Sequence, residues 1–443
     1  MFVKDIYLSA YWLTCCVIMC GDFEGQETAK FRPRVYTVRR GTLSILREMK
    51  GTACTKAAVE SPRESQRRYP GLDGLRGAAI LLVVADHYKI VPYLGGVVLF
   101  FVLSGFLLGG ILMSKRSTPN YYKAFYARRT CRILPLYLLS VLAFFSILAT
   151  LPFSWPFGAP PVGLFENPLP LWSYLAFAQN LVMVYHNEGG ADWLVPTWSL
   201  AIEEQFCLIV PVLVALISPK RLPYVLFTVL LIAPLFRMAM YDEFGPNIAA
   251  LVLFPARADA LFLGVLCAWV VREPWGLAFL QRHRKTLYCT LAFLGAVSCW
   301  FLGLLIPWLP EPPRWGVNVL GNSSLALFYG CMLLVAVTER RGLVSLAMRP
   351  KPLRLLAPIA FGVFLFHVPV LAAVGGLAFG EPAWPEEWLV VAMKLGAFAV
   401  TVALATVSWV FFERRIVAWG RSFRYEGPRV AAAQNDQRSG VES

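Results

Sequence analysis

The sequence predicts an all-α protein, a polytopic transmembrane helical bundle of about ten spans. Three observations carry that expectation. Ten stretches are long and apolar enough for a spanning helix, which needs roughly 20 mostly apolar residues. The 443 residues are 58% hydrophobic and 15% charged, whereas soluble chains lie nearer about 45–50% and about 25%. Lys and Arg are also divided unevenly between alternate loops.

In chain order the stretches are 72–90, 96–113, 132–150, 197–217, 223–240, 247–271, 286–306, 319–338, 355–375 and 388–412. The connections after the even-numbered spans hold sixteen Lys and Arg, from Lys115 to Arg354. The opposite set holds only Arg237 and Arg314. Basic residues concentrate on the cytoplasmic face, so both termini are expected in the cytoplasm. Residues 171–185 (LWSYLAFAQNLVMVY) are apolar but short and carry Gln179 and Asn180. If they spanned, every later loop would change sides. They are therefore expected as a re-entrant or interfacial helix inside the outer loop 151–196, which has no Lys or Arg. An eleventh span is the alternative.

Three parts follow. Residues 1–68, with a 15-residue apolar run at 6–20 and a basic stretch at 29–68, read as an N-terminal extension, poorly ordered or interfacial. Residues 69–415 form the membrane domain. Residues 416–443 are polar and expected as a disordered cytoplasmic tail.

Composition also excludes. The formal charge of +14 reads as loop charge on a membrane protein, so no nucleic-acid partner is expected. The ten cysteines repeat no zinc or redox spacing, and four histidines without close pairing give no metal ligand set. No phosphate-binding glycine loop or complete serine-hydrolase elbow is present.

Ionisable groups inside spans are costly and mark candidate function. The first span carries Asp73, Arg76 and His87. Arg76 and His87 are eleven residues apart, three helical turns, so they share one face about 16 Å apart along the axis. One stripe thus presents a cation near the cytoplasm and an imidazole deeper in, which suits a long anionic donor whose reactive end must reach the histidine. A neutral imidazole is a natural general base; a packing histidine between helices is the alternative. Arg129 and Arg132, at i and i+3 where the third span begins, share a face suited to phosphates. Plain positive-inside anchoring would explain their charge equally. Glu203 and Glu204 sit in the fourth span and could orient a histidine, bind an acceptor, or pair with Arg257 and Arg237. Ser104 has no acid–base partner placed beside it by sequence. His367 is the other intramembrane histidine.

The ordered set resembles the acyltransferase 3 family over roughly 69–415. The resemblance rests on Leu72-Asp73-Gly74-Leu75-Arg76 followed by His87, on Phe100-Phe101-Val102-Leu103-Ser104-Gly105-Phe106, and on Arg129-x-x-Arg132-Ile133-Leu134-Pro135. Trp198-Ser199-Leu200-x-x-Glu203-Glu204-Gln205-Phe206 and Phe364-x-x-His367-x-Pro369 complete it. The resemblance implies a membrane O-acyltransferase in which His87 is the catalytic base with Arg76 alongside. It further implies that Arg129 and Arg132 contact an acyl-coenzyme A donor, acetyl-coenzyme A by resemblance, and that Glu204 lies near the acceptor. The expected acceptor is a hydroxyl of a glycan or lipid-linked sugar; no permanently bound cofactor is expected. Val98 stands where many relatives carry an acid, so no essential acid is inferred there. Two other readings stay open: an acyl-relay subunit that serves a separate partner protein, and a transporter without chemistry.

Overall fold

The computed structural model describes residues 70–91, 93–150, 163–244, 248–305, 309–339, 341–379 and 387–426. The N-terminal extension, 1–68, lies outside them. Ten longer helices follow one another: α1 Pro70–His87, α2 Gly96–Lys115, α3 Tyr121–Thr150, α4 Trp198–Leu216 and α5 Leu222–Phe244, then α6 Phe254–Arg272, α7 Arg284–Phe301, α8 Asn322–Thr338, α9 Lys351–Phe379 and α10 Glu387–Ser408. Among the described residues there is no strand.

Eight of these helices are long and apolar enough to cross a membrane. The two that fall short are α1, which carries Asp73, Arg76 and Asp86, and α7, which opens on Arg284 and Lys285. Large apolar side chains such as Leu235, Phe293 and Leu395 are well over half exposed, as a lipid-facing surface requires. The polytopic helical bundle is therefore the architecture of this chain.

Helix α6 is the central post and packs along α2. Two glycines permit that approach. A Cβ at Gly105 would come within 1.9 Å of the Leu261 carbonyl, and one at Gly264 within 2.2 Å of the Val102 carbonyl. Small residues at such crossings let backbones meet in the absence of a hydrophobic drive between helices. On the other side, α1 lies between α2 and α9, and α9 pairs with α10.

Residues 171–185 form no single helix long enough to span a membrane. They form two short helices, Leu171–Leu175 and Gln179–His186, broken where Phe177 adopts a φ of 51°. The polar pair that made them unfit to span is buried and bonded. Gln179 Nε2 donates to the Thr197 carbonyl at 2.9 Å, and Asn180 Nδ2 to the Val252 carbonyl at 3.0 Å.

Two sequence expectations are corrected here. Arg237, counted with the outer-loop charges, lies within α5 and is fully buried. Its Nε donates to Val319 O at 2.8 Å, Nη1 to Ala256 O, and Nη2 to Asp259 Oδ2 at 2.9 Å. Ser323 also bonds Nη2 and donates to Asp259 Oδ2 at 2.6 Å. The expected disordered tail is likewise corrected for 416–426. Beyond α10 and a π turn at Trp409–Glu413, a helix at Arg414–Gly420 lies on α3, and the chain stays ordered to Glu426. Asn120 fixes it: its Nδ2 donates to Arg424 O at 2.8 Å and its Oδ1 accepts from Glu426 N at 3.0 Å. Composition over the whole of 416–443 suggested disorder, while 416–426 is held by hydrogen bonds to its backbone and by burial of Val417. Residues 427–443 lie outside the described residues.

Candidate active site

A cavity of about 270 Å³ opens between α1, α2, α3, α4 and α9. Its lining on α2 runs from Val97 to Ile111, which is about 21 Å of helix. Along α1 it is lined by Arg76, Ile80 and Val83, and along α9 by Ala357, Ala360, Phe361 and Phe364. The spacing of three and four residues is the signature of one helix face, so each stripe follows from helical periodicity alone.

One part of the lining is strongly basic. Arg76, Arg128, Arg129 and Arg132 all contribute, against one carboxylate, Glu203. Arg132 lies close enough to Arg76 and Arg129 to feel both charges. Arg129 is already neutralised: its Nη2 pairs with Glu203 Oε1 at 2.8 Å and Glu204 Oε1 at 2.9 Å, and its Nε donates to Glu204 at 3.0 Å. Ser104 Oγ donates to Glu203 at 2.8 Å, completing the cluster. Arg76 and Arg132 have no carboxylate within ion-pair distance among the described residues. They face the cavity with donors to spare.

His87 continues the α1 stripe one turn past Val83, and His367 continues the α9 stripe one turn past Phe364. Their rings meet edge to face, 4.9 Å between centroids. His87 Nδ1 is 2.8 Å from Val83 O, and His367 Nδ1 is 2.7 Å from Phe364 O. A carbonyl only accepts, so each Nδ1 carries a proton and donates it. His367 is fully buried, and its Nε2 has no hydrogen-bond partner among the described residues. Neither histidine is part of the cavity lining: the two rings lie one helical turn beyond it on the extensions of the α1 and α9 stripes. The lining away from the arginines is mostly apolar (Ile80, Val83, Val97, Phe100, Phe364), with Ser199 among it.

A family model described as an acyltransferase domain matches residues 69–411. The chain belongs to the acyltransferase 3 family. Among its relatives, YrhL of Bacillus subtilis is 28% identical over 393 residues, covering 81% of this chain and 57% of that protein. The O-acetyltransferase OatA of Staphylococcus aureus is 24% identical over 364 residues, covering 80% and 58%. The peptidoglycan O-acetyltransferase OatA of Listeria monocytogenes is 24% identical over 372 residues, covering 80% and 56%. The match therefore spans less than two thirds of the length of these relatives. No solved structure matches.

Of the residues the sequence singled out, Arg76, Arg129 and Arg132 share the cavity wall, and His87 stands at the end of its α1 stripe. Glu204 does not line the cavity. Both carboxylates bond Arg129, so the alternative of pairing with Arg237 or Arg257 fails. Arg237 pairs with Asp259; Arg257 donates from Nε to Leu251 O at 2.8 Å and lies 5.7 Å above the Trp198 ring. Sequence reasoning noted His367 without a role and found no partner for Ser104. Their partners come from helices 280 and 99 residues away, and only the intramembrane position of a histidine hinted at the first. Among the described residues no group of three or more His, Cys, Asp or Glu is placed to hold a metal ion.

Proposed function

We propose that this protein is a membrane O-acetyltransferase that moves an acetyl group from acetyl-coenzyme A to a hydroxyl of a glycan or lipid-linked sugar. The single observation that carries this reading is the cavity. It is basic where phosphates would rest and mostly apolar elsewhere, and its α1 and α9 stripes, carried one turn beyond the lining, reach His87 and His367. The OatA relatives, named an O-acetyltransferase and a peptidoglycan O-acetyltransferase, favour a cell-wall or similar glycan as the acceptor.

In this mechanism Arg76 and Arg132 bind the donor phosphates through charge-assisted hydrogen bonds. Arg129, held by Glu203 and Glu204, fixes the shape of the cluster. Glu204 is thereby a positioning residue for Arg129 and not an acceptor ligand. The donor's thioester arm extends through the apolar passage toward His87. His87 Nε2 takes the proton from the acceptor hydroxyl as its oxygen attacks the thioester carbonyl. The new C–O ester bond forms, the C–S bond breaks, and the imidazolium returns its proton to the departing thiolate. The products are the acetyl ester and coenzyme A thiol. His367 packs against the His87 ring and limits its rotation. The loop charge bias supports a cytoplasmic position for the arginine end and for both termini.

The test uses purified protein in proteoliposomes with radiolabelled acetyl-coenzyme A and a hydroxylated glycan acceptor. Label in the glycan with wild type, reduced about 10²–10⁴-fold by His87→Ala at equal protein, is the expected result. Equal labelling by both proteins removes His87 from the chemistry. Consumption of the thioester with no labelled glycan favours the acyl-relay reading, and an untouched thioester favours transport.

A further inference from the structure

The segment after the last long helix is pinned against the mouth of the cavity. The helix Arg414–Gly420 lies on α3 so closely that a Cβ at Gly420 would meet Cys131 Cβ at 2.7 Å. Past it, Arg128 Nε donates to Phe423 O at 2.8 Å, and Asn120 bonds both Arg424 and Glu426. These bonds fix the backbone on either side of Tyr425. Its ring lies under the Arg128 guanidinium, 4.9 Å from carbon to centroid, and the residue lines the cavity beside the arginine cluster. Arg421 and Arg424, on the same segment, are exposed. An aromatic face held rigid among several arginines, at the polar end of a long apolar passage, is a recognisable arrangement. It suits a planar heteroaromatic base joined to phosphates.

We propose that Tyr425 stacks on the base of the donor's nucleotide, so that residues 421–426 form one wall of the donor site. The inference rests on the coenzyme A reading and refines it. It assigns the nucleotide end of the donor to a segment beyond the 69–411 stretch that carries the family match. The phosphates then reach Arg76 and Arg132, and the pantetheine arm enters the cavity between Leu103, Leu107 and Phe364.

The experiment compares two donors on reconstituted full-length protein: acetyl-coenzyme A and S-acetyl-pantetheine, which has the same thioester and arm but no nucleotide. Tyr425→Ala is expected to raise KM for acetyl-coenzyme A about tenfold, within the range that base stacking on an aromatic ring contributes. Tyr425→Phe, which keeps the ring, is expected to restore KM to within about twofold of wild type. The penalty is confined to the donor that carries the base, so the S-acetyl-pantetheine KM is the same in wild type and Tyr425→Ala. An unchanged acetyl-coenzyme A KM in Tyr425→Ala overturns the stacking proposal. So does an equal loss with both donors, which marks the residue as structural. If wild type turns over S-acetyl-pantetheine but ignores acetyl-coenzyme A, the donor reading itself is overturned.

Discussion

Arg237 and Arg132 are both arginines inside a helical bundle, and their surroundings are opposite. Arg237 is fully buried and its guanidinium is saturated by two carbonyls, a serine and Asp259. Arg132 is exposed to the cavity, has no carboxylate within ion-pair distance among the described residues, and shares its wall with Arg76 and Arg128. A buried cation whose donors are all engaged holds helices together, here α5, α6 and the π turn at Val317–Gly321. A cation whose donors face a cavity keeps them for something else. The contrast separates structural from binding charge in a membrane, where every ionisable group looks functional at first sight.

The comparison can be broken in four ways, from the largest effect downward. Arg237→Ala strands Asp259 without its cation and is expected to destabilise the bundle by about 3–5 kcal/mol, read as denaturation of the detergent-solubilised protein. Replacing both partners, Arg237→Met with Asp259→Leu, should recover most of that loss, because a well-packed apolar pair is often as stable as a buried ion pair. If the double variant is as unstable as the single one, the pair does more than join helices. Arg132→Ala should do the reverse. It should leave the unfolding transition within about 1 kcal/mol, while raising the donor KM by the equivalent of about 1.5–3 kcal/mol, the contribution of a hydrogen bond to a charged group. A stability loss as large as that of Arg237→Ala would erase the distinction.

Glu204→Gln is expected to fall between these regions. It removes one of the two charges on Arg129 yet keeps a side chain that still accepts a hydrogen bond. The donor KM should change by less than the Arg132→Ala value, measured as a difference of about 1 kcal/mol. Smallest of all, Ser323→Ala should cost about 0.5–1.5 kcal/mol of stability and leave donor binding unaltered, since Arg237 keeps its two carbonyls and Asp259.

Much of the bundle was legible because membrane helices announce themselves by length and apolarity. The site was legible along single helices. The Arg76-to-His87 stripe follows from helical period, and the structure fills it in with Ile80 and Val83. What crossed between helices was hidden. Glu203 and Glu204 were visible as intramembrane carboxylates, but nothing in their local sequence pointed to Arg129, 74 and 75 positions earlier. His367 carried no sign that it would meet His87. The order of 416–426 was hidden: the segment runs into a polar stretch, and the bonds from Asn120 and Arg128 use backbone groups that every sequence has. Arg237 was misplaced for a related reason: loop counting treats charge as solvated, and this charge had found its partners indoors.

The lining between the arginines and the histidines has a further consequence for which acyl groups the protein can use. Ile80, Val83, Val97, Phe100 and Phe364 line the cavity on the histidine side of the arginines, so on the proposed reading a group travelling to His87 must partition from water into a hydrocarbon-like sleeve. A neutral acetyl or propionyl group meets little resistance there. A succinyl group would carry a carboxylate past side chains that cannot pair with it, the one hydroxyl there, Ser199, already donating to the Pro196 carbonyl, at a desolvation cost of several kcal/mol. On the proposed reading the passage selects its cargo by polarity before any residue at the reaction centre has touched it.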